Sequence, residues 1–348
     1  MYPIPNWPNE PVKTMNELRR GVLKGDMTEP ADLNLDDLLR SSDEFPIEFP
    51  IDSVRCKSLK NAVSPTTLTK HINSVYPVLH ESVVGLYVDF ILHKRKLGTS
   101  HERELYKDMS FLEFVDRLLK KRAAVFMGRN DDYLLLNGSK GRSRWETIGG
   151  EDQSDDLAIA DNLSYDEIKL SAFLSVSSYS YFINDGDRRN KGVVAKNRQH
   201  IQEEGVVVGV IGARMKKKYR MEYQEMIISK DQNHGGHGFG TTFAPTIPSI
   251  FSGFYGKPSW DYKTFLLSPD LKKPGHFTEI SKGVYFDNVT FARRIALSID
   301  TLLLEANQRA RERKMDAYVH VVGFGLGVWK CSVHQEDIFM ETFQKRLE

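Results

Sequence analysis

Apolar positions in the first third of the chain recur at helical spacing. One short helix is predicted over Val12–Leu23, followed by an acidic, proline-bearing stretch over 28–53 that reads as an extended arm or linker. Over 66–96 the apolar set Ile72, Val75, Val78, Leu79, Val83 and Leu86 predicts one or two helices. Their end carries His93, Lys94, Arg95 and Lys96, a basic turn that complements a helix C-terminus. Ser110 with Glu113 three residues on is a capping box, and it opens a helix through Lys121.

The texture then changes. Runs rich in β-formers at 123–127, 133–136, 206–211, 226–228 and 264–267 predict strands, and 164–175 predicts a helix between them. A long helix follows, with Phe291, Ile295, Ile299, Leu302 and Ala306 on one face. It leads to a strand over 318–322, then Gly323, Gly325 and Gly327, then a helix bearing Phe339, Phe343 and Leu347 at i, i+4 and i+8. Ser332 and Gln335 have capping-box spacing and mark where that last helix starts. Strands alternating with helices, the most apolar strands nearly continuous, predict an α/β fold whose sheet is largely parallel and covered on both faces. The expected organisation is an arm over 1–65, a mainly helical extension over 66–119 and an α/β domain over 120–348.

Composition excludes several function classes. In 348 residues, 40% are apolar and 27% charged, as in an ordinary globular protein. A net charge of +1 argues against a chain built to coat nucleic acid or an anionic membrane. Cys56 and Cys331 stand far apart in no ligand spacing, which fits neither a disulfide framework nor a zinc ribbon. The N-terminus has no basic and apolar leader pattern, and no stretch is apolar enough to span a bilayer, so a soluble cytoplasmic protein is expected.

A strand, a glycine-rich turn and a helix start form a place for an anion, because glycine lets the backbone approach closely and the helix offers free N–H groups. The segment Gly323, Phe324, Gly325, Leu326, Gly327, Val328 and Trp329 has this order, although neither a dinucleotide fingerprint nor a P-loop is present. A second such place lies upstream, where a strand ends in Asn137 and is followed by Gly149, Gly150 and a helix opened by Ser164, Asp166 and Glu167. The acidic run Glu151, Asp152, Asp155, Asp156 and Asp161 offers oxygen ligands for a divalent cation, though such runs are more often solvated loops. His234 and His237 lack a clear third ligand. The Lys216, Lys217 and Lys218 run reads as a solvent-facing turn.

Taken together these parts resemble a macrodomain, the three-layer α/β/α fold that binds ADP-ribose, and in particular its branch related to poly(ADP-ribose) glycohydrolase. Residues 134–137 resemble the family's strand ending in asparagine, Ile148, Gly149 and Gly150 its glycine loop, and Tyr165 to Ile168 its Gln-Glu-Glu-Ile. Residues 207–213 are similar to a later strand, Tyr219 and Tyr223 to paired tyrosines, and 321–329 to the loop that wraps the diphosphate. Some bacterial secreted effectors and animal proteins carry such a domain, and for an effector the expected compartment is a host cytosol. Three departures are plain: Glu151 replaces the third glycine, the gap from the glycines to Asp166 and Glu167 is longer than the family's, and Tyr165 with Asp166 replaces Gln-Glu.

The resemblance implies binding of ADP-ribose, free or on a protein, and hydrolysis of an ADP-ribosyl linkage without a required cofactor. Asn137, Gly149, Gly150, Glu151, Tyr219, Tyr223 and the 323–329 loop are then the binding residues. Glu167 is the first candidate for the general acid or base and Asp166 the second. Two alternatives use the same residues differently or use others: a reader that binds ADP-ribose without cleaving it, and a toxin-like ADP-ribosyltransferase built on Arg129, Ser175 and Glu225.

Overall fold

The computed structural model of the chain describes residues 12–25, 33–48, 51–127, 130–187, 189–240 and 244–348. Its first third is helical: α1 (Val12–Leu23), α2 (Leu35–Asp43), α3 (Pro65–Ile72), a short strand β1 (Tyr76–Leu79), then α4 (Glu81–Leu97), α5 (Ser100–Tyr106) and α6 (Phe111–Lys120). A strand meander follows, β2 (Val125–Met127), β3 (Asp132–Leu134) and β4 (Lys140–Arg142), and after it α7 (Tyr165–Ser171), β5 (Leu174–Tyr181) and β6 (Glu204–Gly209). The rest comprises α8 (Tyr223–Met226), β7 (Ile227–Ser229), α9 (Ile247–Phe254), α10 (Tyr262–Leu266), β8 (Phe277–Ser281), β9 (Val284–Asp287), α11 (Asn288–Arg313) and α12 (Gln335–Leu347).

Helix α4 is the centre of this arrangement. Val83, Leu86, Tyr87, Val88, Phe90, Ile91 and Leu92 are all buried, so the helix is apolar around most of its circumference and is covered on every side. Phe90, Tyr106 and Phe114 pack edge-on or tilted at 5.5–6.0 Å between ring centroids, joining α4 to α5 and α6. The same buried cluster continues through Trp145, Leu163 and Ile168 to Phe251 and Tyr255. A second cluster lies under the C-terminal half, where Ile295 and Ile299 of α11 meet Phe324 and Phe339.

The predicted mixed α/β character holds, but the largely parallel sheet does not. Among the described residues there are three small sheets, ordered β1-β5-β6, β2-β3-β4 and β7-β9-β8, and every ladder in them is antiparallel. Local chemistry explains much of this. Asn137 and Gly138 form the turn between β3 and β4, with Gly138 at φ +87, which is the strongest short-range hairpin signal in the chain. Antiparallel strands close through turns of this kind, whereas a parallel pair needs a crossover. The 318–322 stretch joins no ladder among the described residues, and Tyr318 is 94% exposed.

Two smaller readings change as well. The 264–267 stretch lies on helix α10 and its C-cap, because Asp261 accepts the Lys263 N–H and starts a turn there. Within the apolar run over 66–96, Val78 and Leu79 sit on strand β1 rather than on a helix. Asn73 caps α3, and Pro77 could not donate to a helical ladder in any case.

Candidate functional site

Helix α7 sends three consecutive side chains in three directions, and the site is built around its first turn. Ser164 caps it: Glu167 N–H donates to Ser164 Oγ at 3.4 Å, and Ser164 N–H donates to Glu167 Oε2 at 2.8 Å. The reciprocal pair fixes the helix start.

Glu167 faces inward and has no exposed surface. Arg117 of α6 grips it from Nε at 2.6 Å and from Nη2 at 3.1 Å, and the Tyr106 hydroxyl donates to the same carboxylate. Burial and that neighbouring carboxylate push the Tyr106 phenol well above its ordinary value. Arg117 Nη2 also donates to the carbonyls of Ile159 and Asn162, so one guanidinium ties the acidic loop to the helix. Both oxygens of Glu167 thereby accept hydrogen bonds from the protein itself.

Asp166 faces the other way, with a quarter of its side chain exposed. Lys94 of α4 donates to it at 3.1 Å, and Lys169, one turn on, lies 4.0 Å away. Beyond each lysine stands another carboxylate: Glu102 accepts from Lys94 at 2.6 Å and Glu225 accepts from Lys169 at 2.8 Å. The charges alternate in one row, Glu102, Lys94, Asp166, Lys169, Glu225, and Asp166 is its most exposed member. Burial alone would raise the Asp166 carboxyl. The two lysines outweigh it and hold the group below the usual carboxylate range, so it is ionised at neutral pH.

The upstream glycine loop reaches this row through Glu102. Thr99 Oγ1 donates to the Gly149 carbonyl at 2.5 Å, and a Cβ on Gly149, whose φ is +82, would lie 3.4 Å from Glu102 Oε1. Glu151 turns away to accept from the Ser100 hydroxyl and from the Ser100 N–H at 2.8 Å, at the first residue of α5, and these bonds hold the Glu151 carboxyl low. Asn137 lies outside the group, exposed in the hairpin turn with its Oδ1 accepting from Ser139 N–H at 3.0 Å. In the acidic loop Asp161 pairs with Lys121 at 3.0 Å. Among the described residues no three acidic, histidine or cysteine side chains gather as a metal site would require.

Tyr165 takes the third direction and is linked to the downstream glycine loop through Phe126. Its ring lies 6.4 Å from that of Phe126, which stacks on Trp329 at 6.2 Å. Phe324 is buried against Phe339 of α12 at 4.9 Å, anchoring the loop, while Gly323, Gly327 and Val328 stay exposed; Leu326 packs on the second core cluster. A backbone crossing fixes the loop from below: Met215 N–H donates to the Trp329 carbonyl at 3.1 Å. A Cβ at Gly212 would stand 2.5 Å from the Gly325 Cα. Gly212→Ala is therefore expected to push the two segments apart at a cost of about 1–3 kcal/mol, the range for overpacking, read as a lower midpoint in thermal denaturation.

Tyr219 and Tyr223 meet edge to face at 5.9 Å and pack on the second core cluster, Tyr223 being buried. Of the transferase set, Arg129 lies outside the described residues, Ser175 is buried on β5 opposite Val78, and Glu225 is bound to Lys169. No hydrogen bond joins Ser175 to Glu225 among the described residues.

The two lysines of the charged row were not visible as site residues in the sequence. Lys94 sits in a basic run that reads as a helix end, and Lys169 carries no motif. Lys217, part of what reads as a solvent-facing turn, instead reaches the wholly buried Asp131 at 2.7 Å, and Tyr165 donates to the same carboxylate.

ADP-ribosylarginine hydrolase CG2909 of Drosophila melanogaster is 40% identical to the chain over 324 residues, which cover 90% of the chain and 63% of that protein. ADP-ribosylarginine hydrolase CG3568 of the same organism is 41% identical over 334 residues, covering 93% and 65%. The chain thus spans a little under two thirds of the length of these relatives. The glycine loops suggested a macrodomain of the poly(ADP-ribose) glycohydrolase branch; the family model that matches is a different one, and that resemblance is replaced. No helix among the described residues is long and apolar enough to cross a membrane. Over residues 36–348 the chain matches the model of the MavL-like ADP-ribosylhydrolases, and it belongs to that family.

Proposed function

We propose that the chain hydrolyses the N-glycosidic bond between ADP-ribose and an arginine side chain of a protein. The site would lie at the first turn of α7, between Gly149 and Gly150 on one side and the 323–329 loop on the other. The observation that carries this reading is Asp166, a partly exposed, ionised carboxylate held between two lysines, the nearer of which also binds Glu102 against Gly149. The family match and the names of the relatives support the linkage.

In this reading Asp166 takes a proton from a water molecule as its oxygen bonds to the anomeric carbon. The bond to the guanidine nitrogen breaks, and the proton passes to the departing guanidine, which is a strong base. A negative charge beside the ribose also stabilises the positive charge that develops on the sugar. Lys94 and Lys169 keep the carboxylate ionised and aimed. The reaction written this way uses water alone and needs no cofactor.

The test is release of ADP-ribose from peptides modified on arginine, serine or glutamate. Turnover of the arginine-linked peptide, at least about tenfold faster than the other two, is expected. Cleavage of an ester- or serine-linked peptide with the arginine-linked one untouched would sink the assignment, and binding of ADP-ribose with no turnover on any of them would favour the reader.

A further inference from the structure

Three arginines gather where α7 ends. Arg214 Nη1 donates to the Ile168 carbonyl at 2.9 Å, Arg122 Nη2 to that of Ser171 at 3.4 Å and Arg294 Nη2 to that of Ala172 at 2.9 Å. Cations at the carbonyl end of a helix complement its dipole. For Arg294 that account is complete: it is wholly buried, with Glu222 on Nε, Ser298 on Nη1 and a second carbonyl, Ile211, on Nη2.

Arg122 and Arg214 are not accounted for in the same way. The carboxylate that faces the group is Glu222, and its two oxygens are already engaged by Arg294 Nε and by the backbone N–H of Arg214. The Arg122 Nε is buried with no hydrogen-bond partner among the described residues. Arg214 is half-buried, its guanidinium makes one hydrogen bond among the described residues, and it lies 5.8 Å from the centroid of the Trp329 indole. Burial first, and then the like charge of Arg122 with that of Arg294, bring the Arg214 guanidinium down to about 10; the one opposing carboxylate, Glu222, offsets only part of this.

We propose that Arg214, set against Trp329, is the side-chain anchor for the diphosphate of the ADP-ribosyl group. The inference rests on the function proposed above and adds to it a residue that reads the two phosphates. A diphosphate brings two negative charges to a place where three guanidiniums face the single carboxylate of Glu222. The planar fork of arginine matches phosphate oxygens in pairs, and a partly buried setting strengthens such bonds. The close backbone crossing at Gly212 and Gly325 brings the 323–329 loop and the Arg214 segment together, so one anion can meet both.

The experiment uses the full chain as wild type, Arg214→Gln and Arg214→Lys, with ADP and adenosine as probes in ligand-observed NMR titrations. A turnover assay on the arginine-linked peptide runs in parallel. Arg214→Gln is expected to weaken ADP about 10- to 100-fold, the loss of a charged hydrogen-bonded pair, while adenosine stays within about twofold and Arg214→Lys falls between. Equal weakening of ADP and adenosine would show a structural role and overturn the proposal, as would ADP binding unchanged in Arg214→Gln or absent in wild type. The two readings separate cleanly. Turnover by wild type with KM unchanged in Arg214→Gln removes the anchor and leaves the hydrolase. Arginine-dependent binding of ADP without turnover removes the hydrolase and leaves the anchor.

Discussion

Asp166→Asn is expected to lower kcat on an ADP-ribosylarginine peptide by about 10²- to 10⁴-fold, the range for loss of a positioned general base. Affinity for ADP-ribose should change little, because the amide keeps the shape and can still accept from Lys94. The wild-type pH profile should carry the same signature. Since Lys94 and Lys169 outweigh burial and hold the Asp166 carboxyl below its ordinary value, the basic form is present throughout the neutral range, and kcat should decline only as pH falls below the usual carboxylate range. Lys94→Met removes the nearer ammonium and leaves burial less opposed. The carboxyl then titrates higher, and the acid limb of the profile moves up in pH. A full rate in Asp166→Asn, or an acid limb that stays put in Lys94→Met with the fold intact by circular dichroism, would remove Asp166 from the chemistry.

How much of this was legible in the sequence depends on the range of the interaction that decides it. Helices α1 and α6, and the capping boxes at Ser110 and Ser164, follow from spacing within one or two turns, and the structure has them where the spacing puts them. The glycine loops were visible for the same reason. Sheet direction was not: it depends on which strand edges meet, and the Asn137, Gly138 turn that decides one sheet is a local signal whose weight is easily lost beside a family pattern in which the asparagine has another use. Within the site, the sequence shows two adjacent carboxylates and cannot say which faces water. That depends on Arg117 from α6 and Lys94 from α4, residues far from α7 along the chain whose reach to it no local pattern encodes. Arg214 was hidden likewise, since its guanidinium matters only once Trp329 and the end of α7 stand beside it.

Glu167→Gln separates the two carboxylates from the opposite side. Glutamine keeps the volume and can still bond Tyr106 and Ser164, but it leaves the Arg117 guanidinium buried without a countercharge. Removing one partner of a buried pair costs about 3–5 kcal/mol, most of it the charge left unpaired. A large loss of stability in urea denaturation is therefore expected, with kcat per folded molecule close to wild type at a temperature where the variant remains native. Replacing both partners, Glu167→Leu with Arg117→Met, should recover part of that loss, since an apolar pair leaves no buried charge. The recovery would be incomplete, because the carbonyls of Ile159 and Asn162 and the Ser164 cap lose their donors and acceptor. If Glu167→Gln instead folds with undiminished stability and its turnover collapses, the catalytic carboxylate is the buried one. Substrate would then have to open the contact with Arg117 before any bond is cleaved.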